Sequence, residues 1–219
     1  MTLSGHLTKL QAVNEMLRSI GEDPVNSLSS GLDDAEIAEA LLDIESRRIQ
    51  ALGWHVNTRW DVELAVDAND HFLLPTNTLR VDTTNPRPKK RFVSFPTSSG
   101  WVDAKMVRSA DDTKWILYDQ DNDTESWTTE TTLNVAIIQL QEFANLTPLL
   151  QYYIFTSAAH KYQKQVMGSQ VLYQFTREDV EEAMVAAVNE DSENEGINML
   201  RSNPHVFATV YRNNPSAFQ

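Results

Sequence analysis

Leu10–Leu28, LQAVNEMLRSIGEDPVNSL, carries the signals of a helix and of its end. Leu10, Val13, Leu17 and Ile20 recur at spacings of three and four, so they share one helical face, and Met16 widens it. Gly21 follows the last apolar residue, where a helix closes most easily through a left-handed residue. Pro24 cannot continue a helix, and Val25 and Leu28 offer apolar contacts after the turn. The pattern specifies a short amphipathic helix with a hard stop, which by itself is an ordinary core helix.

Outward from this stretch the helical period continues. Asp33 or Asp34 is placed to cap a second helix. Ile37, Leu41, Ile44 and Arg48 form one stripe on it, and Ala38, Leu42, Ile49 and Leu52 an adjacent one. This combined face is broad enough to pack between two neighbours. Arg47 and Arg48 suit the last turns, where cations favour the helix dipole. Gly53 ends the helix and Trp54 anchors its exit.

From Asn57 the period changes to two. Trp60, Val62, Leu64 and Val66 alternate with Asp61 and Glu63, the pattern of a half-buried strand. HFLLP, TLRVDTT, RFVSF, WVDAKMV, KWILYD and NVAIIQ read as further short strands bounded by turn residues, about six or seven in all. From Thr147 the helical period returns. Thr147 is placed to cap, and Pro148 fits the first helical position. Leu149, Leu150, Tyr153, Ile154, Ala158 and Tyr162 suggest a buried third helix, punctuated by Gly168. A fourth runs from about Ser169 to Glu195, with Val171, Leu172, Phe175, Val180, Met184, Ala187 and Val188 as its inner face and Gly196 as its stop.

The expected fold is α+β. A helical bundle body (1–56 and 146–200) holds an inserted small antiparallel β-domain (57–145), a sandwich or barrel, and an extended C-terminal arm (201–219) follows.

The composition excludes several chemistries. The 219 residues include no cysteine, so disulfides, thiolate catalysis and cysteine-ligated zinc are absent. No signal-peptide pattern opens the chain and no apolar run approaches the ~20 residues that span a bilayer. Synthesis in a cytoplasm, with no membrane span, is expected. Net charge is −13. Residues 1–56, 57–145 and 146–200 each carry −5, whereas the last 19, with Arg201 and Arg212 and no acid, carry +2. Such acidity argues against a dedicated nucleic-acid binder, whose affinity comes from neutralising phosphates. It suits a surface that DNA passes without sticking.

Candidate sites are few. Asp119, Asp121, Asp123, Glu125 and Glu130 have the spacing of a calcium loop, but Thr124 stands where glycine is needed and the flanks read as strands. A solvated hairpin loop is the plainer reading. Arg87, Lys89, Lys90 and Arg91 form a basic cluster held extended by two prolines, fit to touch phosphates or an acidic partner or simply to keep a turn soluble. Phe207, Val210, Tyr211 and Phe218 lie in the terminal arm without helix or strand period. Burial of such side chains is worth roughly 1.5–3 kcal/mol each, so they suit a latch onto a partner or back onto the chain's own helices. The histidines His6, His55, His71, His160 and His205 form no close metal pair or triad, and His160 reads as a packed core residue. With 31 acidic residues a glycosidase pair cannot be nominated, although a virion-associated glycoside hydrolase acting on host envelope polysaccharide is the alternative function. No catalytic, cofactor or metal residue is assigned.

Ala12-Val13-Asn14, Leu17, Ser19-Ile20-Gly21, Pro24-Val25 and Leu28 resemble the opening motif of the tail tubular protein A family, head-to-tail connectors of short-tailed bacteriophages. Gly53-Trp54, and Gly196 with Asn198, Met199 and Leu200, are further echoes, so the resemblance touches both ends and about a third of the chain. It implies a structural virion protein. Its partners would be other copies in a dodecameric ring, the portal protein, a nozzle resembling tail tubular protein B, and tail fibres. The genome would pass through the centre. The resemblance implies no cofactor and no chemistry, and Gly21, Pro24, Gly53, Trp54 and Gly196 are its structural motif residues.

Overall fold

The computed structural model describes residues 5–29, 31–82, 94–97, 100–109, 114–120, 122–128, 131–168 and 170–194. Among the described residues four helices flank six strands in the order α1 (Lys9–Ile20), α2 (Asp33–Gln50), β1 (Thr58–Ala65), β2 (Thr78–Asp82), β3 (Ser94–Thr97), β4 (Gly100–Arg108), β5 (Trp115–Asp119), β6 (Thr132–Gln139), α3 (Pro148–Met167) and α4 (Gln170–Asn194). The fold is α+β.

The strands form two antiparallel sheets, ordered β1-β6-β2 and β3-β4-β5. Both contribute to one core, in which Leu64, Val81, Ala104, Leu117, Val135 and Ile137 meet Phe72 and Trp127. That shared core gives the arrangement of a small sandwich. Two strand expectations are corrected. HFLLP makes only isolated bridges, Val66 with Phe72 and Leu73 with Ile116. Trp60 does not share a side with Leu64. The β1–β6 register shifts between Arg59 and Val62, Asp61 takes φ +53, and Trp60 is left 53% exposed. The extra residue of a bulge reverses the alternation on which the sequence reading relied.

A second core draws on both ends of the chain. Val13, Met16 and Leu17 of α1, Ala38, Leu42 and Ile49 of α2, Leu150, Ile154 and Tyr162 of α3, and Ala183 and Ala187 of α4 are buried together. α3 packs against all three other helices. Three helix expectations are corrected. Neither Asp33 nor Asp34 caps α2; the N-cap is Leu32, and both acids stand in the first turn, where the dipole favours them. Thr147 is the N-cap of α3, but its hydroxyl donates to Glu190 (2.7 Å) instead of accepting from the helix backbone. The apolar faces are also narrower than their composition suggests. Ile37, Ile44 and Leu52 of the α2 segment, Leu149 of α3, and Met184 and Val188 of α4 are exposed. Each helix buries only the sector that meets a neighbour, and alanines line much of that sector.

Candidate functional site

Four local devices set α1 and the turn that follows it. Thr8 and Gln11 form a capping box, the Thr8 hydroxyl accepting from the Gln11 backbone (3.2 Å) and the Thr8 N–H donating to the Gln11 amide oxygen (2.9 Å). Gly21 takes φ +90, its N–H donates to the Arg18 carbonyl, and Glu22 N–H donates to the Leu17 carbonyl, both at 3.1 Å. This is the paired closure for which a glycine is favoured. Pro24 lies in the non-helical run that follows. Asn14 then clasps the returning chain: its amide donates to the Val25 carbonyl (2.9 Å) and accepts from the Val25 N–H (2.8 Å). One side chain thus satisfies both backbone groups of a residue eleven positions on, and Val25 is buried.

The same device recurs where the helices meet the sheets. Gln50 donates to the Gln141 carbonyl (3.0 Å) and accepts from the Gln141 N–H (2.8 Å). Gln151, fully buried, accepts from Leu7 N–H (2.9 Å) and donates to the Phe143 carbonyl (2.7 Å). Asn57 accepts from Trp54 N–H and donates to the Gln50 carbonyl. Trp54 is buried, donates to the Ile49 carbonyl (2.7 Å) and lies edge-on to Tyr153. Gly53, at φ +86, lies so close to β6 that a Cβ would stand 2.6 Å from Ile138 Cδ1 and 3.2 Å from Arg80 Nη2. The outgoing and returning crossings are therefore pinned by backbone-mimicking amides and one close approach. Beside them a cleft of about 400 Å³ is lined by Lys9, Asp43, Arg47, Gln141 and Glu142 among others. Lys9 is tied there to Glu39 (2.7 Å) and Asp43 (2.9 Å). Burial opposes its charge, but these carboxylates outweigh that and raise its pKa.

Between α2 and α3 stands Glu45, with no exposed side-chain surface. It pairs with Arg48 (2.7 Å) and Lys161 and accepts from Ser157 (2.8 Å). Burial alone would raise its pKa, yet the bonds from Arg48, Lys161 and Ser157 hold it below the ordinary 4.5. A glycosidase acid needs the opposite shift. His160 bonds the Thr176 hydroxyl (2.7 Å), and burial lowers its pKa.

In the acidic hairpin, Asp119 accepts from the Asn122 backbone and side chain, and Asp123 accepts from Tyr118 (2.6 Å). Among the described residues no group of three or more acids and histidines could hold a metal ion. Asp121 and Glu130 lie outside the described residues. So do Arg87, Lys89, Lys90 and Arg91, the arm residues Phe207, Val210, Tyr211 and Phe218, and Gly196. Sequence reasoning missed Gln50, Glu45 and Gln151, and met Asn14 only as part of the opening motif, without its bonds to Val25. The legible signal was a polar residue interrupting an otherwise apolar period, as Glu45 does between Leu42 and Ile49.

A family model for tail tubular proteins matches residues 10–197. The chain belongs to the tail tubular protein family. It is a structural component of bacteriophage tails. The match runs from the first turn of α1 to just beyond α4, so the strands between the helix pairs belong to the same family unit. No curated protein matches the chain. Among the described residues no helix of this tail tubular protein is long and apolar enough to cross a membrane.

Proposed function

We propose that this tail tubular protein is a subunit of the head-to-tail connector, a ring of twelve copies between the portal and the tail nozzle through which the genome passes. Family membership across residues 10–197 carries the reading. The opening motif supports the A-type assignment, since its Asn14, Gly21 and Val25 join in one turn that fixes how α1 leads to α2. In this reading 1–56 and 146–200 form the ring body, 57–145 lie toward the periphery and contact neighbours or tail fibres, and 201–219 reach the portal or an adjacent copy. Arg87, Lys89, Lys90 and Arg91 are contacts from the strand region, and Phe207, Val210, Tyr211 and Phe218 are contacts from the arm. The mechanism is mechanical, without cofactor or bond-making step. Copies interlock, and a net charge of −13 each keeps phosphate from binding as DNA slides past.

Electron microscopy of the full chain mixed with its portal protein tests this. The expected result is an added ring on the tail-facing side of the portal. A chain that remains monomeric and never joins the portal overturns the reading.

A further inference from the structure

Among the described residues the helical core and the strand core have no member in common. Units joined in that way ordinarily move against each other unless a large apolar interface holds them. Here two crossings join them, one between α2 and β1 and one between β6 and α3. Gln50, fully buried, stands where the two crossings meet. Its Oε1 accepts from Gln141 N–H (2.8 Å), and its Nε2 donates to the Gln141 carbonyl (3.0 Å) and to Ser46 Oγ (2.8 Å). Its own carbonyl accepts from Asn57 Nδ2 (3.0 Å), just before β1. The last residue of α2 is thereby tied to both crossings. Further ties surround it. Ile138 of β6 is buried yet belongs to neither core, and it lies against Gly53, where a Cβ would stand 2.6 Å from its Cδ1. Trp54, in the outgoing crossing, donates to the Ile49 carbonyl and lies edge-on to Tyr153 of α3. His55 N–H donates to Asp191 of α4 (2.7 Å).

We infer that Gln50 is the lock on a hinge between the helical body and the sandwich, holding the two as one rigid lever. This is a property of the single subunit and stands apart from the ring reading. A buried amide suits the task better than an apolar side chain. Its two bonds to one backbone unit fix distance and rotation together, whereas apolar contact is non-directional and permits sliding. Gln141 is half-buried, so its backbone groups can turn to water when the amide is removed. Neither core includes Gln50 or Gln141, so both cores survive that loss and the crossing becomes a hinge beside Gly53.

The chain has no cysteine, so thiols introduced at exposed positions carry spin labels without competition. One pair spans the two units, Ala40→Cys on α2 with Glu63→Cys on β1. A reference pair lies within the helical body, Ala40→Cys with Asn189→Cys on α4. Labelled full-length chain is diluted into unlabelled chain, and distances are read by pulsed electron resonance. With Gln50 in place both pairs should give equally narrow distributions. Gln50→Leu fills the same space without the bonds. It should broaden the spanning pair about twofold or more and leave the reference pair unchanged. A spanning distribution that is already broad with Gln50 in place overturns the lock. So does one that stays narrow in Gln50→Leu. Broadening of both pairs in Gln50→Leu would assign Gln50 to the helical body itself and would overturn the lock as well.

Discussion

α1 and α4 are built on opposite principles. α1 is 12 residues long and held at every level: a capping box at its start, a glycine closure at its end, an asparagine clasp onto Val25, and Ala12, Val13, Met16 and Leu17 in the core. α4 is twice as long, and between Thr176 and Asn194 it buries Ala183 and Ala187, packs Val180 partly against the same core and leaves Met184, Val185 and Val188 exposed. Helix length therefore does not measure how firmly a helix belongs to its own subunit. What counts is the apolar surface removed from water and the end groups satisfied. A short helix capped at both ends and buried along one face anchors the fold, whereas a longer one can leave apolar side chains in water over part of its length.

The largest effect expected from breaking this contrast is at the anchored helix. Leu17→Ala should cost about 3 kcal/mol, since Leu17 is 2% exposed and its removal leaves a cavity. Urea unfolding reads this as a lower midpoint at unchanged slope. Asn14→Ala should cost about 2 kcal/mol, because both backbone groups of the buried Val25 lose their partner at once. If chemical denaturation finds Asn14→Ala indistinguishable from wild type, water replaces the clasp.

The seam between α2 and α3 gives an intermediate case that pH can sharpen. Glu45 has a folded pKa below 4.5, so its contribution is complete above that value and is lost as pH falls through the folded one. Glu45→Gln should lose about 1–2 kcal/mol at pH 7, modest because Arg48 and Lys161 are half-exposed and return to water. The melting-temperature gap between Glu45→Gln and wild type should narrow on acidification below about pH 4. A gap constant from neutral to acid pH would place the cost in packing and not in charge.

Gly21→Val should cost about 1 kcal/mol, from backbone strain alone, as φ is +90 and nothing lies within 4 Å of the added carbon. The smallest effect should come from α4. Val185→Ser should change the stability of the isolated chain by less than about 0.5 kcal/mol, as for other surface positions. A Val185→Ser chain that melts several degrees lower would show that its own subunit already covers this stripe, removing the contrast between the two helices.

Much of this is legible in the residues alone. The glycine stop at Gly21 needs only the local rule that a left-handed residue closes a helix, and Pro148 at the first turn of α3 needs only the missing N–H. The burial of successive residues in β6 was visible as an unbroken apolar run. Where the reading failed, a distant partner had decided. Trp60 left the core because a bulge shifted the β1–β6 register. Thr147 gave up its cap for Glu190, 43 residues away.

The order of helix, strand and helix, the glycine closure of α1, the acidity and the absence of thiols were fixed locally, because they depend on residues within a turn or two of each other or on composition alone. The tertiary structure alone decided which apolar stripes are core and which are surface. Ile44 and Ile49 are chemically equivalent on one helix, yet one is 52% exposed and the other fully buried. Periodicity places a side chain on a face, but only the positions of α1, α3 and α4 determine which face meets protein and which meets water.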